Sequence, residues 1–253
     1  MVVACFLLRG YATAQINESD TAQLQIRTSL TGNYQKGNVD LLVIRSRVDA
    51  LYVPTKEWVF KSQNNSLYQA FYDKKADNDV FSRNWLYFKP QNRFYPYIIS
   101  FISGNFRRKI DMRYFIGLGA TGQVVNTKNH ILKLSVSAVY ERTNFSDKNY
   151  NFSEYNGSDN IKLWRGTLYL AGWHYLFQKH ARLFYNAYWQ PAFDNKNNYR
   201  TQYDIGVDFP IWQGLSFNAL YTYTHENVVI QKIKTDDKIL TFGLAYNFKQ
   251  NHH

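Results

Sequence analysis

In this 253-residue sequence, eight cationic and four acidic side chains fall on the smaller, more polar face of alternating segments. They are Arg27, Arg45, Arg47, Arg113, Lys133, Arg165, Arg182 and Arg200 against Asp49, Glu141, Asp204 and Asp208. If those faces enclose a lumen, the basic excess focuses a positive field inside low-dielectric walls and concentrates small anions there. Two outcomes fit such a set. Either the lumen binds or passes small anionic solutes, or the charges pair into a salt-bridge lattice that fills it. The sequence leaves both open.

Other chemistry is thinner. A formal net charge of +11 points to an anionic partner. Beyond Arg107–Arg108, however, the basic residues are scattered singly, so there is no nucleic-acid patch. Acyl transfer at a membrane rim needs a hydroxyl beside a histidine held by a third polar group. His225 with Ser216 or Thr224 is the nearest approach, and His174 has no assigned face. The stretch "SDKNYNFSEYNGSDN" carries Asp147, Glu154 and Asp159 without the spacing of a calcium loop. No G-x-S-x-G, HExxH or paired cysteine occurs. No catalytic, cofactor or metal site is assigned, and the chain reads as a non-enzyme.

The elements that must position the charges alternate with period two. Twelve such segments run approximately 21–35, 38–53, 56–72, 79–90, 93–106, 111–125, 130–145, 160–176, 181–192, 198–209, 214–227 and 236–248. No apolar run reaches the roughly 18 residues of a spanning helix, and mean hydropathy is −0.46. Strands that alternate apolar-out and polar-in hide their hydrophobicity from such a measure. In the segment 111–125, Met112, Tyr114, Ile116 and Leu118 oppose Asp111, Arg113, Gly117 and Gly119. Every second link is short ("VPTK", "KPQNR", "VNTKN", "FQKH", "PIWQG"). Most of the others are long and polar, including "DKKADND" after the third segment. That parity belongs to an up-and-down barrel, not to a Greek-key sandwich. Aromatics, 18% of the chain, gather at segment ends as interfacial girdles would. The expected fold is therefore all-β: an antiparallel up-and-down transmembrane barrel of about twelve strands.

The opening "MVVACFLLRGYATAQ" joins an apolar run to Ala12-Thr13-Ala14, a small-x-small cleavage pattern. Residues 1–14 are expected to be a signal peptide, with a start that lies inside a longer one, and 15–253 one barrel domain. Cleavage would remove Cys5, the only cysteine.

The stretches "LTGNYQKGNVD", "GNFRRKIDMRYFIGLGATGQVV", "LKLSVSAVYERTNF" and "KTDDKILTFGLAYNF" carry a resemblance across nearly the whole mature chain. In them the sequence resembles the salt-induced outer membrane protein family, a bacterial family of unknown function. The resemblance implies an outer-membrane barrel and supplies no substrate. The end of the chain is also similar to the barrel-assembly signal, polar-x-Gly-x-x-aromatic-x-aromatic, with Thr241, Gly243, Tyr246 and Phe248 in its four places. Expected partners are outer-membrane lipids, the barrel-assembly machinery, periplasmic chaperones and small anions, for a monomer without nucleic acid. The runner-up role is a non-conducting structural barrel of the salt- or osmotic-stressed envelope. A phospholipase-like enzyme comes third.

Overall fold

The computed structural model describes residues 16–20, 22–37 and 40–250. The expected signal peptide lies outside them. Twelve antiparallel strands close into one barrel, each paired with its sequence neighbours. They are β1 Leu24–Gln35, β2 Leu41–Tyr52, β3 Trp58–Phe71, β4 Lys74–Phe88, β5 Phe94–Asn105 and β6 Ile110–Asn126. β7 His130–Phe145, β8 Asn160–Leu176, β9 Ala181–Pro191, β10 Tyr199–Trp212, β11 Leu215–Glu226 and β12 Asp236–Gln250 complete the circuit. β1 closes on β12 with Leu24 opposite Gln250 and Thr31 opposite Gly243, so no sheet edge is left open.

The pleat decides the faces. Phe242, Leu244, Tyr246 and Phe248 of β12 point outward, while Thr241 and Ala245 are buried inside. Leu30, Ile116, Leu118, Val136 and Leu240 make an exposed apolar belt that water would not tolerate and lipid would. Aromatics flank it. Tyr52, Trp58, Phe94 and Trp212 are exposed at the rim of short turns, and Tyr34, Phe71, Tyr72 and Phe106 at the loop rim.

Two sequence expectations change. "DKKADND" is not a long loop: the third link is only Tyr72–Asp73, both at positive φ (47° and 58°), and β4 begins at Lys74. Polar composition hid that strand. Asp77 is buried inside the barrel, and Arg107 Nε stands 3.3 Å from its carboxylate. Secondly, the middle of β3 and β4 inverts the pattern. Ser62, Asn64, Ser82 and Asn84 lie on the outer face and bond one another, with Asn64 Nδ2 donating to Ser62 Oγ (2.9 Å) and Asn84 Nδ2 to Ser82 Oγ (3.1 Å). Phe81, Trp85 and Tyr87 turn inward on the other face of β4. No bulge interrupts the β7–β8 register. Arg165 therefore faces inward with Leu168 and Leu170 outward, and His174 shares the outward parity.

Candidate functional site: the barrel lumen

The sequence-predicted charges sit at inward positions of their strands. Arg27, Arg45, Asp49, Arg113, Lys133, Glu141, Arg165, Arg182, Arg200 and Asp208 are buried, and Arg47 and Asp204 half-buried. The structure draws most of them into clusters. Glu141 accepts from Arg200 Nη2 (2.5 Å) and Arg165 Nε (3.2 Å), with Arg113 Nε at 3.9 Å. Arg113 turns its two terminal nitrogens onto both oxygens of Glu226 (2.7 and 2.8 Å), a fork-to-fork pair. Asp208 takes Arg27 Nη2 at 3.0 Å, Arg182 Nη2, and Asn218 Nδ2 at 2.7 Å. Arg47 and Asp49 pair along β2 at 2.9 Å.

Arg45 stays outside these clusters. Among the described residues it has no ion pair or hydrogen bond, and its buried Nε has no partner. It lines a cavity of about 110 Å³ on the loop side of the barrel, with Arg47, Asp79, Arg83, Asp204 and Glu226.

A second cavity, of about 60 Å³, lies toward the short-turn rim and is walled by Trp85, Tyr97, Phe115, Tyr169 and Trp173, with Ser135, Ser137 and Thr167 between them. Arg83 of β4 lines both cavities. Its guanidinium carbon is 5.6 Å from the Phe81 ring, 5.8 Å from Trp85, 5.4 Å from Phe101 and 5.5 Å from Tyr188. Tyr188 belongs to β9, so this contact spans the lumen at a waist between the two spaces.

Packed residues narrow both mouths. At the short-turn rim, residues 16–20 enter the barrel ahead of β1 and bury Ile16 and Glu18. Glu18 binds Lys133 Nζ (3.0 Å), Lys61 Nζ (3.1 Å) and the Tyr95 hydroxyl (2.8 Å). Burial alone would raise its carboxyl, but Lys133 and Lys61 outweigh that and hold it well below the usual carboxylate range. At the loop rim, Tyr150, Val228 and Ile230 pack over Ile110 and Phe145. Asn151 crosslinks these loops, donating to Asn227 O (2.7 Å) and accepting from Val229 N (3.0 Å). Burial pushes the Tyr150 hydroxyl up to about 12.

Sequence reasoning missed Glu18, Lys61, Arg83, Arg108 and Glu226. Glu18 precedes the strands, and Arg83 lies on a face whose neighbours are aromatic, so an apolar-out rule does not mark it inward. The histidine candidate resolves differently. Ser216 sits at the short-turn rim, opposite Ala245, and His225 at the loop rim, opposite Asp236. His225 Nδ1 meets Asp236 at 3.1 Å, but its Nε2 has no hydrogen-bond partner. Asp147 and Glu154 serve Lys109 and Asn195 respectively, Asp159 pairs with Asn160, and among the described residues no three such groups converge on a metal position.

The profile of a protein family of unknown function, DUF481, matches residues 28–248, nearly the whole barrel. The chain belongs to that family. The family description carries no salt-induced name, only an unknown function. No curated protein matches the sequence significantly. Among solved structures, this DUF481 barrel is similar to the translocator domain of the autotransporter NalP from Neisseria meningitidis (TM-score 0.50, 12% identity, 90% of each chain covered). It is also similar to the NanC porin (TM-score 0.54, 10% identity, 88% of this chain and 98% of that one). At such identity the likeness establishes a shared barrel fold and nothing finer.

Proposed function

We propose that the protein is an outer-membrane barrel that holds a small anionic solute in an occluded lumen and releases it when a mouth opens. Arg45 supports this best: a buried guanidinium facing a cavity, with Asp79 and Asp204 along the same wall but no carboxylate at ion-pair distance among the described residues, is costly unless a ligand completes it. The short turns and apolar belt suit the outer membrane of the envelope, and assembly by the barrel machinery through Thr241, Gly243, Tyr246 and Phe248 belongs to the same reading. Reversal potentials in planar bilayers test it. Infrequent openings that prefer chloride to potassium are expected, and cation preference would refute it.

A second reading is favoured by the packing across both mouths: a non-conducting barrel of the salt- or osmotic-stressed envelope. Absence of both conductance and anion binding in the purified barrel, together with osmotic sensitivity of a deletion strain, would select it.

A further inference from the structure

We infer that the mid-lumen site takes a carboxylate carried on an aromatic body, with Arg83 as the residue that touches both halves of the ligand. The inference rests on the anion-binding reading above and adds the substrate class.

The two cavities differ in chemistry. The space on the loop side is charged and offers Arg45, which among the described residues has no carboxylate at ion-pair distance and a buried Nε without a hydrogen bond. The space on the short-turn side is walled mainly by aromatic rings and small hydroxyls, with Glu18 and its partners Lys61 and Lys133 also lining it. A simple inorganic anion would gain nothing from the rings of the second. Arg83 stands where they meet, and among the described residues it has neither an ion pair nor a hydrogen bond, while four rings lie 5.4–5.8 Å from its guanidinium carbon. Cation–π contact uses the charge of a guanidinium and supplies no acceptor, so the N–H groups at its edge remain able to donate in plane. Such an edge matches a carboxylate bidentately. A ligand with its carboxylate toward Arg83 and Arg45 then sends its ring toward Trp85 and Tyr97, where aromatic packing adds to the burial of its area.

The test uses the purified full barrel in detergent, with tryptophan fluorescence and calorimetry as readouts, since Trp85 and Trp173 wall the aromatic space. Benzoate, acetate, inorganic phosphate and benzyl alcohol are the probes. Each is added to the folded barrel and is also present during refolding, so that slow entry through narrowed mouths does not mask binding. Benzoate is expected to bind saturably, roughly tenfold or more tighter than acetate, the return on burying one ring against aromatic walls. Arg83→Gln is expected to remove that binding, and Trp85→Leu to weaken benzoate while sparing acetate. Heat-modifiable gel mobility verifies that each variant is folded, and the wild-type probe series decides the matter if a variant is not. Acetate or phosphate binding as tightly as benzoate overturns the inference and leaves the anion-binding reading standing. Benzyl alcohol binding as tightly as benzoate also overturns it, because the carboxylate is then not read. No binding by any anion overturns both.

Discussion

Lys133 Nζ of β7 stands 3.0 Å from Glu18 Oε1, and the same ammonium also donates to Asn17 Oδ1 (2.7 Å) and Ser19 Oγ (2.8 Å). One wall cation therefore ties three consecutive residues of the entering segment into the mouth. Glu18→Gln would leave Lys133 and Lys61 buried without a counter-charge, at a cost of about 3 kcal/mol. That corresponds to roughly a hundredfold rise in the open population. Single-channel recording should show more frequent openings in Glu18→Gln than in wild type; equal open probability would mean that the segment is not the gate.

The same carboxylate sets a pH dependence. Its folded-state pKa lies below the ordinary value of 4.5, so its stabilisation is fully present above that value and is lost only as pH falls through the depressed one. Opening at the short-turn mouth should thus be flat from pH 7 down to pH about 5 and rise only in stronger acid. A rise already between pH 7 and 6 would assign gating to another group.

Glu141 makes the sharpest stability prediction. It is buried between Arg165 and Arg200, and Glu141→Gln leaves these two cations without a counter-charge in a low-dielectric interior, while Arg113 keeps Glu226. The loss should be about 3–5 kcal/mol, read as a lower urea midpoint of the heat-modifiable gel band. The exposed pair Lys89–Glu57, at 3.0 Å, is the control. Glu57→Gln should cost less than about 1 kcal/mol.

The fold was legible because alternation is a local property. Through the middle of β6, β7, β10 and β12 large apolar residues take every second place, and that alone places Arg113, Lys133, Arg200 and Asp208 inward. Legibility failed where the rule inverts. β4 carries Ser82 and Asn84 outside and Phe81, Arg83 and Trp85 inside, so hydropathy points the wrong way for the residue at the waist. The partners of each charge were not legible either. Arg113 meets Glu226 across 113 positions of sequence, which only the closed ring brings together. Nor does an alternation test detect a segment such as residues 16–20, which enters the lumen without being a strand.

Gly119 illustrates packing that alternation cannot show. The Tyr97 ring lies over it, and a Cβ there would fall 2.4 Å from Tyr97 Cζ and 2.5 Å from Val136 O. Gly119→Val should displace Tyr97 and cost about 1–3 kcal/mol in overpacking, with loss of the near-ultraviolet signal of a fixed tyrosine. An unchanged urea midpoint would show that the wall yields more easily than the close approach implies.

β12 carries the test that separates lipid face from lumen face. Phe248 is 45% exposed on the outer surface opposite Ile26, whereas Asn247 faces inward opposite Arg27. A carboxylate at 248 would meet hydrocarbon or the interface, where it costs up to about 2–4 kcal/mol depending on depth. It would also remove the last aromatic of the proposed assembly signal. A carboxylate at 247 would add an acidic group next to Arg27 in a lumen already rich in arginine, where an opposite charge is accommodated. Phe248→Asp should therefore reduce the heat-modifiable, membrane-inserted fraction severalfold, with Asn247→Asp close to wild type. Equal insertion of the two variants would contradict both the lipid orientation of β12 and the recognition role assigned to its end.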